Sequence, residues 1–150
     1  MMMNNNTTFE IEKDIHVART TWNRKMHFES SVNDHIIHFD KLPIHGGEDK
    51  GPRPKPLILS AIGGCTGMEI VAILEKMRLK IEGLEIEVTG ELNDEQPKIY
   101  KSVHIVFKVT SQNPEKQKIE RAVHLATEKY CGVLAMVRHF AQVTSKIKFL

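Results

Sequence analysis

No stretch of this sequence concentrates basic charge, no C-x-x-C or H-x-x-x-H pair occurs, and no long apolar run is free of charge. Each absence excludes a class. Nucleic-acid binding writes itself as a basic stripe, whereas here the net charge is +2 and the lysines and arginines are dispersed. The densest basic segment, Lys50-Gly51-Pro52-Arg53-Pro54-Lys55, is rich in proline and glycine and reads as a loop. The longest apolar stretch, residues 57–79, carries Glu69, Glu75, Lys76 and Arg78. A charge at the middle of a bilayer costs about 2.5–3.5 kcal/mol on insertion scales, so a buried helix of a soluble domain is the expectation and a membrane is not. Without a C-x-x-C or H-x-x-x-H pair, no metal site is expected, and the scattered histidines read as ordinary strand residues. No internal repeat is present. The first residues lack the basic, apolar and small-residue regions of a secretory signal, which places the chain in the cytoplasm, where thiols stay reduced.

Cysteine occurs only twice, and the two positions differ in kind. Cys65 lies in Gly63-Gly64-Cys65-Thr66-Gly67, inside the apolar run. Cys131 follows an amphipathic helix pattern, in Glu128-Lys129-Tyr130-Cys131. In a reducing compartment such a pair is either inert core or redox chemistry. Free cysteine packs as a small hydrophobe, and local pattern favours that reading. Against it stand a helix start next to Cys131, whose positive end favours a thiolate, and the two glycines before Cys65. In a helix interior each glycine costs about 1 kcal/mol relative to alanine, so the space they leave serves close packing or a substrate.

The pattern along the chain is α+β. Residues 1–14 are polar or low in complexity and read as a disordered tail; residues 15–150 read as one domain. Strands are expected over 16–22, 26–31 and 36–39, an antiparallel meander with a turn at Asn33-Asp34. A Pro- and Gly-rich loop over 42–55 leads into a helix from the Pro56-Leu57 boundary to about Lys80, buried on all sides in its first half and closed by Gly83. Strands follow over 84–89 and 99–109. Asn113-Pro114-Glu115 reads as a helix start with an asparagine cap, a second helix follows Gly132, and 143–150 is a closing strand in an all-antiparallel arrangement.

The run Leu59-Ser60-Ala61-Ile62-Gly63-Gly64-Cys65-Thr66-Gly67-Met68-Glu69-Ile70-Val71, with Glu75-Lys76-Met77-Arg78 after it, resembles the central helix of the OsmC/Ohr family, the osmotically inducible and organic hydroperoxide resistance proteins. The later Ala122-Val123-His124-Leu125-Ala126-Thr127-Glu128-Lys129-Tyr130-Cys131 resembles that family's second cysteine motif. The resemblance runs from about Ile15 to the C-terminus, and the Gly-Gly-Cys-Thr-Gly form is most similar to the OsmC-like branch. It implies an intertwined homodimer with active sites at the subunit interface, in which Cys65 attacks a hydroperoxide and Cys131 resolves the sulfenic acid as a disulfide. No metal or flavin cofactor is implied; an external dithiol completes the cycle.

The chain also departs from the family. Where well-studied members carry an Asn-Pro-Glu type motif, alignment on the cysteine puts Arg53-Pro54-Lys55, so a base replaces the acid. The family's active-site arginine comes from an N-terminal strand turn; Arg24 is nearest by region and Arg53 nearest the motif. Glu69 reads as the partner of a cation or a cap for polar groups at the interface, and Glu128 as the partner of a basic side chain; neither reads as catalytic. The expected activity is thiol-dependent reduction of hydroperoxides, organic ones preferentially. The alternatives are a dimer that binds a small apolar ligand and a redox-responsive interaction protein.

Overall fold

Turn chemistry shapes the N-terminal part. The structure, a computed structural model, describes residues 15–150; the tail expected over 1–14 lies outside the described residues. The described chain forms two compact units, the first ending at Pro54 and the second spanning Lys55–Leu150.

In the first unit β1 (Ala18–Arg24), β2 (His27–Val32) and β3 (His35–Phe39) form an antiparallel sheet in that order, the expected meander. Asn33 and Asp34 both take the left-handed conformation, with φ of 47° and 61°. That is the two-residue hairpin turn whose twist matches the strands, and Asn and Asp tolerate it. After β3 the loop is held by Asp40. Its carboxylate accepts N–H bonds from Lys41 (2.7 Å), Glu48 (3.1 Å) and Lys50 (3.2 Å). Burial pushes this carboxyl upward, but the three N–H groups and the nearby His27 outweigh it and hold its pKa below the ordinary value.

In the second unit, α1 (Pro54–Lys76) starts two residues before the expected boundary and ends four before the expected stop. Its terminator is not Gly83, which opens the next strand; the chain leaves the helix through Arg78, at φ 55°. Then come β4 (Gly83–Leu92), β5 (Tyr100–Thr110), α2 (Lys116–Leu125), α3 (Gly132–Val137) and β6 (Gln142–Phe149). The sheet order is β4-β5-β6. β4 pairs antiparallel with β5, but β6 pairs parallel with it, so the sheet is mixed and the all-antiparallel expectation is corrected. The connection explains it: α2 and α3 carry the chain back across the sheet before β6, and parallel neighbours require such a crossover. The asparagine cap is corrected too. The residue before α2 is Glu115, and no side chain caps the helix.

The core joins α1 residues Ile62, Ile70, Ile73 and Leu74 to Val103, Ile105, Phe107 and Val109 of β5 and to Ile119, Val123 and Leu134 of the later helices. Only one stripe of α1 lies in it. Ile58, Met68 and Val71 are 38%, 73% and 44% exposed, so the expectation of burial on all sides fails for this chain alone. A three-stranded sheet and two short helices cover one face of a 23-residue helix and leave the other open.

Candidate active site

Cys65 lies at the border between the buried and exposed stripes of α1. Thr66, next to it, is fully buried and donates its hydroxyl to the Ile62 carbonyl at 2.8 Å, so no polar atom is wasted where the helix turns inward. The glycines do not make room for the sulfur. A Cβ built on Gly63 would lie 3.7 Å from Val88, and one on Gly67 only 3.0 Å from Ile86. Their absent side chains let α1 approach β4, the packing alternative. Gly64 faces open space.

The second cysteine is presented by an irregular segment. Residues Ala126–Tyr130 continue α2 as a π-helical turn, in which Cys131 N–H bonds the Ala126 carbonyl at 2.9 Å. Such turns are rare and gather at functional sites. Two side chains hold this one. Thr127 is buried and donates to the Val123 carbonyl at 3.0 Å. Arg138 donates to the Thr127 carbonyl at 2.8 Å and to Glu128 at 2.7 Å. Glu128 is thus the partner of a basic side chain, as expected. Arg138 itself escaped the sequence reading because its partners lie across a turn, outside any helical spacing.

Cys131 then starts α3, and its Sγ accepts the Leu134 N–H at 3.4 Å. The helix start was expected to lower this thiol's pKa. The opposite holds: burial first, then the neighbouring Cys65 thiol, push it up to about 11. The Leu134 and Val133 N–H groups oppose the shift without overcoming it. Cys131 is 3% exposed and Cys65 half-buried, and both thiols are free. The fold therefore makes neighbours of two reduced sulfurs 66 positions apart in sequence: one reachable, one buried and protonated at neutral pH.

The native state holds the Cys131 proton up to about 11, against an ordinary value of 9.0 in the unfolded chain. Its contribution to stability is complete below pH 9 and is lost as the pH rises towards 11. Denaturant titrations of the reduced protein at a series of pH values are expected to show this decline, and Cys131→Ala to remove that part of it. Equal slopes in the two proteins across the window would refute the assignment.

The two arginines singled out from sequence belong to the first unit. Arg24 pairs with Glu48 at 2.9 Å, and Arg53 is exposed on the segment entering α1. Glu69 is half-buried on α1. A groove of about 570 Å³ runs between α1 and β4, lined by Leu59, Gly63, Leu84, Ile86 and Val88 among others; neither cysteine lines it.

Residues 47–146 match the profile described as OsmC-like protein. Protein YhfA of Escherichia coli K12 is 32% identical over 128 residues, which cover 85% of this chain and 92% of YhfA. A hypothetical protein from Aquifex aeolicus VF5 superposes with a TM-score of 0.75 at 29% identity, over 91% of this chain and 98% of that one. The organic hydroperoxide resistance protein OhrB of Bacillus subtilis shares the fold, with a TM-score of 0.62 at 18% identity, over 89% of this chain and 98% of that one.

Proposed function

The chain belongs to the OsmC-like protein family, and from that premise we propose that it is a cytoplasmic homodimeric thiol peroxidase acting on organic hydroperoxides through Cys65 and Cys131. The observation that carries the reading is that the two free thiols are neighbours, each acting on the other electrostatically. Cys65, the more accessible sulfur, attacks as the thiolate. The peroxide O–O bond breaks, one oxygen passes to Cys65 as a sulfenic acid, and the other leaves with a proton as the alcohol. The Cys131 thiol then condenses with the sulfenic acid: an S–S bond forms and water departs. An external dithiol supplies two electrons and two protons to restore both thiols.

The dimer is supported by the open face of α1. Ile58, Ala61, Cys65, Met68 and Ala72 recur at spacings of three and four, the repeat with which one helix packs against another. All five are exposed or half-buried in the single chain. A second copy seated on this seam would cover Cys65 and exclude water from it. The apolar seam also suits an organic hydroperoxide better than hydrogen peroxide.

The test is disulfide mapping. The reduced protein is treated with one equivalent of an organic hydroperoxide, then digested and analysed by mass spectrometry without reduction. A Cys65–Cys131 linkage within one chain is expected; two free thiols after hours of exposure would overturn the reading. The groove between α1 and β4 favours a second reading, binding of a small apolar ligand. Under it the fold and the dimer would survive loss of either thiol and no peroxide would turn over.

A further inference from the structure

Three side chains of the first unit converge on one face of its sheet. Glu29 of β2 is directly opposite His38 of β3, and His27 precedes Glu29 by two residues. Alternation puts His27 and Glu29 on the same face of β2, and direct pairing puts His38 beside them. Their potential donor atoms all lie within 4.8 Å of one another. His27 Nε2 is 3.0 Å from His38 Nδ1, with the rings stacked at a 25° interplanar angle. His38 Nδ1 is 3.7 Å from Glu29 Oε1.

We propose that His27, Glu29 and His38 form a binding site for a divalent first-row transition ion of the zinc class. Two imidazoles and a carboxylate are a donor set that such ions favour. Donors about 2.05 Å from a tetrahedral ion stand about 3.3 Å apart, and the two distances given above lie on either side of that value. An ion between the rings replaces the proton they share. The buried ring permits it: His27 is 4% exposed, and among the described residues its Nδ1 has no hydrogen-bond partner. Nε2 is engaged only by His38 Nδ1, so displacing the proton on that contact turns both nitrogens to the ion and leaves the His27 ring proton on Nδ1. Glu29 and His38 have side chains 43% and 45% exposed, so an ion reaches the site from solvent and keeps a water in its fourth position. The competing contact is weak: Asn23 donates to Glu29 Oε1 at 3.3 Å, an exposed bond that the ion displaces. Bound there, the ion staples β2 to β3. All three ligands lie in the first unit and both cysteines in the second.

The experiment titrates the untagged, reduced protein with zinc by calorimetry and with cobalt(II) by visible spectroscopy. One ion per chain is expected, with tetrahedral cobalt d–d bands and no thiolate charge-transfer band. His38→Gln and Glu29→Gln change exposed side chains and leave the core intact. Each is expected to weaken zinc binding by about tenfold or more, with circular dichroism showing the fold retained. Absence of stoichiometric binding, unchanged affinity in His38→Gln, or a thiolate charge-transfer band for the first cobalt equivalent would each overturn the site.

Discussion

Replacing Cys65 with serine is expected to reduce catalytic consumption of an organic hydroperoxide to the uncatalysed rate. Loss of a covalent nucleophile costs on the order of 10³-fold or more, because the difficult bond-breaking step no longer has an acceptor. The asymmetry between the sulfurs sharpens the prediction. Cys131 is buried, with its pKa raised to about 11, and is a poor nucleophile until its neighbour is oxidised. Cys131→Ser should therefore keep one round of peroxide consumption and stop at a sulfenic acid on Cys65, trapped by a dimedone-type reagent. Wild type should give many turnovers with a dithiol, Cys131→Ser about one equivalent in the absence of a thiol able to resolve it, and Cys65→Ser none. Multiple turnovers in Cys65→Ser would exchange the two roles or end the peroxidase reading.

The second large effect is on assembly. Met68, next along the exposed seam of α1 from Cys65, is 73% open in the single chain. Burying such a side chain contributes about 1.5–3 kcal/mol. In a two-fold dimer every substitution acts twice, so Met68→Asp loses about 3 kcal/mol or more, on the order of 100-fold in the dimer dissociation constant. Placing an unpaired carboxylate at the contact adds to the loss. Sedimentation velocity is expected to show wild type as a dimer at micromolar concentration and Met68→Asp as a folded monomer. Turnover should fall with the dimer fraction, since in the proposed assembly the second copy covers Cys65. A wild-type protein that sediments as a stable, folded monomer would remove both the dimer and the interfacial site. Cys65→Ser serves as the counterpart, inactive yet still dimeric, so chemistry and assembly fail separately.

Much of the local structure was legible before any coordinates. Alternation located β1 to β5, and the Asn33-Asp34 turn was readable because few residue pairs accept two positive φ angles. The two cysteine motifs were readable as a family resemblance, carried by residue order around Gly63-Gly64-Cys65 and Tyr130-Cys131. Errors arose where an outcome depends on what lies across space. The strand at 142–149 has the same alternation whether its neighbour runs parallel or antiparallel, and the crossover through α2 and α3 decided the direction. The apolar run of α1 records how much surface must be hidden from water, but not what hides it. Within one chain the fold hides a single stripe.

The same division runs through the chemistry. Sequence alone determined which residues carry sulfur and that one starts a helix, since both are local facts. It could not determine the sign of the Cys131 shift. A helix start lowers a thiol's pKa and burial raises it, and their balance depends on the atoms packed around the sulfur. The nearness of Cys65 and Cys131, the grip of Arg138 on the π turn, and the meeting of His27, Glu29 and His38 are all decisions of tertiary structure. The first two join groups whose separation in sequence exceeds any local period, and the third adds His38 from the paired strand to two residues that alternation already sets on one face.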